Sequence, residues 1–202
     1  MNYDFLIDTY ETERLKVLSA WSMFRDDDLP VRPHPNDPRG RSVLEHMVHQ
    51  CASEDNWFRG MLGIDVGAPP LPARETRLEF MKRYADDSGK RLAALRDTDE
   101  EWWQAEASFF DVRRSRAWIM TRRMTHTAHH RGQLLAMLRM LGREQHSNYG
   151  PTADTGGLKA PTIYPCAGLE ELLADGQKAP LPGAGDGPVT ERPSNSSTVL
   201  TK

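Results

Sequence analysis

The sequence is poor in the features that define several large classes of protein. Its 202 residues include only two cysteines, Cys51 and Cys166, which are too few for a disulfide framework and have no CxxC spacing. No run of about 18 apolar residues occurs, so no segment is predicted to span a bilayer. The N-terminus carries acidic residues where a signal peptide needs a basic start and an apolar stretch. We therefore expect a cytoplasmic protein without a membrane partner.

A strong excess of either charge is also missing. Lysine and arginine together number 26, aspartate and glutamate 29, and the formal net charge is -3. The two signs are interspersed, which gives no broad electrostatic attraction to nucleic acid. One basic run, from Arg113 to Arg123, is more typical of the solvated face of a helix than of a phosphate-binding surface. We therefore expect no nucleic-acid partner.

Long amphipathic patterns are the main positive feature of the chain. Apolar residues recur at steps of three and four from Leu6 to Phe24, which predicts a first helix of about 20 residues. After a proline-rich loop, Ser42 and Glu45 have the spacing of a capping box, so a second helix is predicted from Ser42 to about Leu62. Its apolar side is predicted to carry Leu44, Val48, Cys51, Phe58 and Leu62.

Two more helices are predicted in the second half of the chain. The apolar pattern over residues 78–95 indicates a third helix, and segment 97–112 is predicted to be irregular or to contain one short helix. The fourth helix begins between Asp111 and Ser115 and ends at Leu141, before a glycine that supplies a left-handed stop. Four such helices without a convincing alternating strand predict an all-α fold, an antiparallel four-helix bundle.

The composition predicts one bundle domain followed by a loop-rich C-terminal extension. We assign the bundle to residues 1–160 and a short helical extension to residues 161–175. Residues 176–202 consist largely of proline, glycine, serine and threonine, which predicts a disordered tail. The glycines between bundle and extension lack the spacing of a phosphate-binding loop.

The predicted fourth helix concentrates three of the seven histidines within five positions, in the stretch HTAHHRGQ. His126 and His130 are four residues apart, so they share one helix face with Cβ atoms about 6 Å apart and can converge on one divalent cation. His129 points about 60° away and could support the site or face solvent. Such a pair also arises by chance, but its inward apolar neighbours suggest buried imidazoles that need a partner.

The predicted second helix provides two further histidines, His46 and His49. Metal sites in four-helix bundles are built from inward side chains on facing helices, so this helix can supply a third ligand. Both histidines lie roughly opposite the stripe of Leu44 and Val48. This position argues against a plain core role and leaves a solvent-facing one open.

The segments SVLEHMVHQCASEDNW and HTAHHRGQLLAMLRMLG together resemble the DinB/YfiT-like superfamily of bacterial four-helix bundles, over about residues 5 to 160. The resemblance implies a divalent metal held by one histidine of the second helix and two of the last. Its register falls on Ser42, Glu45, His49, Glu54 and Trp57, and then on His126, His130, Arg131, Gly132 and Gln133. The implied ligands are therefore His49, His126 and His130, with His46 and His129 as alternates.

Three neutral imidazoles leave at least one coordination position open, which is typical of a catalytic metal site. A cation there would lower the pKa of a water molecule or hold a thiolate. The resemblance implies both uses, because relatives include metal-dependent hydrolases and transferases that use a low-molecular-weight thiol. Zinc is the expected metal, with nickel, iron or manganese tolerated. The resemblance also implies a small-molecule substrate and a homodimer.

Two other residues are candidates for supporting roles. Glu54 would be a general base if it faced the metal. However, it lies about 140° around the helix from His49, which favours a capping or salt-bridge role. Arg131 could anchor an acidic substrate group or pair with an acid on the surface. Trp57 could wall a pocket or belong to the core.

Two functions of different classes follow from these residues. The first is an enzyme that carries out metal-assisted hydrolysis or thiol transfer on a small molecule. The alternative is a non-catalytic metal-binding or ligand-binding bundle, such as a stress-response dimer. A DNA-binding role, which the family's name suggests, is disfavoured by the net acidic charge.

Overall fold

The structure is a computed structural model and describes residues 3–67, 71–72, 75–143, 145 and 148. This part of the chain contains four long helices, one short helix and a two-stranded hairpin. The elements are α1 (Asp4–Ser22), α2 (Val43–Trp57), α3 (Arg77–Arg96), α4 (Glu100–Gln104), β1 (Glu106–Phe109), β2 (Val112–Ser115) and α5 (Arg116–Met140). A 3-10 turn (Asp26–Asp28) follows α1, and a π-helical turn (Phe58–Leu62) extends α2. The predicted extension and tail, residues 161–202, lie outside the described residues.

The long helices surround a common core, and the predicted all-α four-helix bundle is confirmed. Helices α1 and α2 each pack against both α3 and α5, so α1 and α2 lie at opposite corners. Helices α1 and α5 run in one direction and α2 and α3 in the other. Within the described ranges, no helix combines the length and apolarity needed to cross a membrane. The cytoplasmic location stays a prediction.

The helix ends follow from the local sequence. The predicted capping box at the start of α2 is present, because the Ser42 hydroxyl accepts from the Glu45 backbone N–H at 3.1 Å and the Glu45 carboxylate accepts from the Ser42 N–H at 2.9 Å. Ser115 caps α5, which begins at Arg116, just after the predicted range. Gly142 has φ 67° and ends α5 in the left-handed conformation, as predicted.

The apolar core consists of two clusters, one towards each end of the bundle. One surrounds Trp21 and Met47, and the other surrounds Phe58 and Trp103. In the first half of helix two, the residues predicted to form the apolar side are not the ones that are buried. Leu44 and Val48 are only half-buried, whereas Val43, Met47 and Cys51 are buried. The error arose because the polar residues His46, Gln50 and Glu54 are also buried and interrupt the hydrophobic pattern.

A buried ionic network lies between the two apolar clusters. Its centre is Glu54 of α2, which is 0% exposed. Its carboxylate accepts hydrogen bonds from Tyr10 at 2.6 Å and Tyr84 at 3.1 Å, and pairs with Arg123 at 3.3 Å and Arg91 at 3.6 Å. These four partners come from α1, α3 and α5, so one carboxylate connects α2 to the other three long helices. Burial raises the pKa of both tyrosines well above the usual value, which keeps them as donors.

The segment between α3 and α5 is more ordered than the sequence indicates. The predicted short helix is present as α4, but a two-stranded antiparallel hairpin follows, with Glu106 opposite Ser115 and Phe109 opposite Val112. Both strands have only four residues and little burial, so neither shows the alternation by which strands are recognised. The turn also lacks the Asn-Gly or Gly-X pair that marks most short hairpins.

We expect Glu54→Gln to destabilise the bundle strongly, because it removes the charge that faces two buried guanidinium groups. Breaking a buried ion pair typically lowers the free energy of unfolding by about 3–5 kcal/mol. Guanidinium denaturation of the purified variant measures this loss. The control is Glu79→Gln, whose carboxylate pairs with Lys82 at 3.2 Å on the surface and should contribute less than about 1 kcal/mol. Equal losses in both variants would contradict a stabilising role of the network.

Candidate metal centre

Three imidazoles from two helices converge near the middle of the bundle. His49 extends from α2, and His126 and His130 extend from successive turns of α5. One ring nitrogen of each lies within 4.8 Å of the other two. The Nε2 atoms of His126 and His130 are 3.2 Å apart, close to the separation of about 3.3 Å expected for two ligands on one tetrahedral zinc ion. These three histidines could therefore hold a metal ion.

The two alternate histidines lie beside this trio in different environments. His46 is 4% exposed, and its ring centroid lies 5.4 Å from that of His130. Its Nδ1 is buried and has no hydrogen-bond partner among the described residues. His46 is therefore interior, and the solvent-facing position that the sequence left open for it is wrong. His129 is exposed on α5.

Hydrogen bonds fix the orientation of two of the three rings. His130 Nδ1 lies 3.0 Å from Gln133 Oε1, so Nδ1 carries the proton and Nε2 is unprotonated. This arrangement is the usual support for a metal-binding histidine. Arg123 lies 3.3 Å from His126 Nδ1 and can only donate, which assigns the His126 proton to Nε2. His126 Nε2 then donates to His130 Nε2, and the pair forms a continuous chain of hydrogen bonds.

The fit of this cluster to a metal ion differs between its members. The Nε2 of His130 is unprotonated and accepts from His126, whereas the Nε2 of His49 is buried without a hydrogen-bond partner among the described residues. A buried nitrogen without a partner is costly, and coordination to a cation would compensate for it. His126 fits once its proton moves from Nε2 to Nδ1. The donor set of three imidazoles thus suits a divalent cation after one change of tautomer.

The surroundings keep these rings neutral. Burial, together with the charge of Arg123 and of neighbouring groups, lowers the pKa of His126 to about 4. Burial and the neighbouring histidines lower the pKa of His130 to about 3. Burial also lowers the pKa of His46 to about 4 and depresses the pKa of His49. Neutral imidazole is the form that binds metals. The cluster is therefore in its metal-binding protonation state at neutral pH.

Aromatic and cationic groups form one side of the cluster. The indole of Trp57 stacks on His126, with ring centroids 5.7 Å apart and planes inclined by 19°. The Arg123 guanidinium lies 5.7 Å from the Trp57 ring centroid and also pairs with Glu54. Trp57 is buried in the apolar cluster that surrounds Phe58 and Trp103, which matches the core role, one of the two that the sequence left open.

The structure places the two candidate supporting residues away from the imidazoles. The Glu54 carboxylate belongs to the network between the apolar clusters and is linked to His126 through the Arg123 guanidinium. Of the two roles predicted for Glu54, this geometry matches the salt-bridge acid. Arg131 pairs with Glu13 of α1, so it pairs with an acid as one prediction held, but both side chains are buried and the predicted surface location is wrong.

Sequence analysis did not identify Arg123, although it contacts His126, Glu54 and Trp57. A signal was present, because Arg123 precedes His126 by three residues and so lies on the same face of the helix. It was read as part of a basic, solvated run. Its neighbour Arg122 is exposed, whereas Arg123 is fully buried.

Comparisons with known proteins agree with this fold. A crystal structure of a DinB-like protein from Bacillus cereus ATCC 10987 matches with a TM-score of 0.63 and 14% identity, over 71% of this chain and 95% of that one. A DinB-like protein from Bacillus subtilis matches with a TM-score of 0.56 and 14% identity, over 69% and 94%. No curated protein sequence matches significantly. A model of the DinB family matches residues 6–157, which is most of the sequence. The resemblance expected from the two histidine-containing segments is therefore confirmed, and the chain belongs to the DinB family.

Proposed function

We propose that this protein binds one divalent cation through His49, His126 and His130 and uses it in hydrolysis or low-molecular-weight-thiol transfer on a small molecule. The observation that carries the proposal is the convergence of three ring nitrogens within 4.8 Å of one another. Zinc is the metal that we favour, because three imidazoles with an open position suit it, and nickel, iron or manganese would also be accepted. A cytoplasmic homodimer remains part of the proposal.

The chemistry would depend on the open side of the cluster. When bound with a free coordination position, a divalent cation lowers the pKa of a water molecule or keeps a thiol deprotonated. His49 and His126 are half-buried, so a small molecule can approach them from solvent. Gln133 holds the His130 ring in place, and Trp57 closes one side of His126. The chain thus supplies orientation and partial exclusion of water.

One observation favours the alternative, a non-catalytic metal-binding or ligand-binding bundle. The hydrogen bonds from Arg123 through His126 and His130 to Gln133 leave this pair well satisfied without a metal. A screen of hydrolytic and thiol-dependent model substrates, run with metal-loaded protein and with His130→Ala, separates the two functions. Turnover that requires both metal and His130 supports the enzyme, and its absence with stoichiometric metal supports the binding protein.

Alanine substitution of each proposed ligand should remove the metal. Elemental analysis of the untagged protein after reconstitution with zinc is expected to give about one metal per chain. His49→Ala, His126→Ala and His130→Ala should each reduce this to background, because a divalent cation held by two imidazoles dissociates during dialysis.

The matched control is His129→Ala, which alters an exposed histidine of the same helix and should retain the metal. His46→Ala should also retain it, since His46 lies outside the trio. Loss of metal in His46→Ala with retention in His49→Ala would show that the helix-two ligand is wrongly assigned. Background metal in the wild-type protein would contradict the proposal as a whole.

The pH dependence of zinc binding provides a separate test. An ordinary histidine has a pKa of about 6.5 and begins to lose metal to protons just below neutrality. Here the pKa values of His126 and His130 are about 4 and 3, so protons compete only at lower pH. Zinc affinity, measured against a chelator of known pH dependence, should change little between about pH 7.5 and 5.5 and fall below about pH 5. A steep loss between pH 7 and 6 would contradict this assignment.

A further inference from the structure

Phe110 has an unusual backbone conformation at the tip of the hairpin. The register pairs Phe109 with Val112, so Phe110 and Asp111 form a two-residue turn. Phe110 has φ 53°, and no other non-glycine residue in the described ranges has a positive φ. Two-residue turns with positive φ at the first position usually carry glycine there, because a Cβ atom is strained in that conformation. Strain of this kind often marks a functional position.

The side chain of Phe110 is largely exposed, so burial does not compensate for this strain. It is 72% exposed, and the two large apolar residues that contact or pair with Phe109, Val112 and Trp118, are themselves 39% and 42% exposed. Its ring meets Phe109 edge-on at 4.9 Å and Trp57 edge-on at 6.3 Å between centroids. Folding alone therefore does not explain a phenylalanine here, since glycine or asparagine would fit the turn better.

The exposed ring is continuous with the candidate metal centre. Phe110 contacts Trp57, and Trp57 stacks on His126. Phe109 contacts both Trp57 and Phe110, so the three rings are continuous from the buried Trp57 to the exposed Phe110. We call these three rings the aromatic face: Trp57, Phe109 and Phe110. A ligand that reaches the imidazoles from solvent can therefore also contact this face.

The net charge beside the aromatic face is positive, because exposed arginines there outnumber the exposed acid of the turn, Asp111. Arg122 is exposed on α5, close enough for its charge to depress the pKa of His126. Arg114 stacks over Trp118, 5.5 Å from the ring centroid, at the other side of Phe109. An aromatic surface with basic groups at its edge favours a ligand that combines a planar ring with an anionic group.

We propose that the aromatic face binds the ring of an aromatic anionic substrate, with Phe110 as a specificity-determining residue. The substrate's anionic group lies towards the imidazoles. An aromatic anion is then the substrate class of the proposed metal centre, and this assignment rests on the proposed function. The strained turn holds the Phe110 ring in solvent, where a flat ligand can stack against it. Aliphatic anions of the same charge lack this contact and bind more weakly.

The anionic dye 1-anilinonaphthalene-8-sulfonate is a suitable probe, because it joins aromatic rings to a sulfonate and fluoresces when bound. Fluorescence titration of the full chain should give saturable binding, and naphthalene-2-sulfonate should compete while methanesulfonate at the same concentration does not. Phe110→Asn should weaken dye binding roughly tenfold, and Phe110→Tyr should leave it within about twofold. The control Phe5→Asn removes a 57% exposed ring outside the aromatic face and should have no effect.

Stability measurements separate recognition from folding. Asparagine tolerates a positive φ, so the melting temperature of Phe110→Asn should be unchanged or higher. If the melting temperature falls, dye affinity is compared between Phe110→Leu and Phe110→Tyr instead. These two variants keep the backbone strain, and only the second keeps an aromatic ring. Wild-type affinity in Phe110→Asn, or in Phe110→Leu if that comparison is needed, would overturn the proposal.

Two further measurements distinguish ligand binding at the aromatic face from dimerisation there and from metal binding by the histidines. Light scattering tests whether the aromatic face instead contacts a second copy of the chain, and a dimer that becomes monomeric in Phe110→Asn would overturn ligand binding there. Zinc content should be the same in Phe110→Asn and wild type. If the wild-type protein and Phe110→Asn both contain only background zinc while dye binding still depends on Phe110, the proposed metal centre is refuted and the proposed aromatic site is still supported.

Discussion

The arrangement of the bundle depends on the buried carboxylate of Glu54. A charge removed from water is stable only if other groups replace its hydration, and here two tyrosines and two arginines do so. Because these partners come from three other helices, the network fixes the lateral position of α5 against α2 as well as compensating the charge. His49 projects from α2 and His126 from α5, so the distance between them follows from the same constraint. Glu54 thus positions the candidate site without contacting it.

Arg123 connects this constraint to the imidazoles. Its guanidinium pairs with Glu54 on one side and donates to His126 Nδ1 on the other. That donation places the His126 proton on Nε2, the nitrogen that faces His130. Coordination of a cation by His126 Nε2 would therefore require the proton to move to Nδ1, and Arg123 would then have to lose or shift its contact with that nitrogen. The groups that stabilise the fold and those proposed to bind metal are coupled through this one side chain.

Sequence patterns predicted the local features well and the long-range pairings poorly. The capping box at Ser42, the stop at Gly142 and the spacing of His126 and His130 depend on residues within one or two helical turns. The pairing of Glu54 with Arg123 depends on which helices are neighbours in the bundle, and no periodicity encodes that. The same limit explains the phase error in helix two, where the buried polar residues interrupt the apolar pattern.

The hairpin could not be predicted for a different reason. Its strands are too short and exposed to show a pattern, and a phenylalanine takes the turn position that glycine usually occupies. Consequently, the residue that best distinguishes this site from a plain histidine cluster was the least visible in the sequence. The imidazoles stand on long helices held by buried ion pairs, whereas Phe110 stands on a turn with few packing constraints. Substitution at this turn can therefore alter which ligand is accepted while the spacing of the three histidines is preserved.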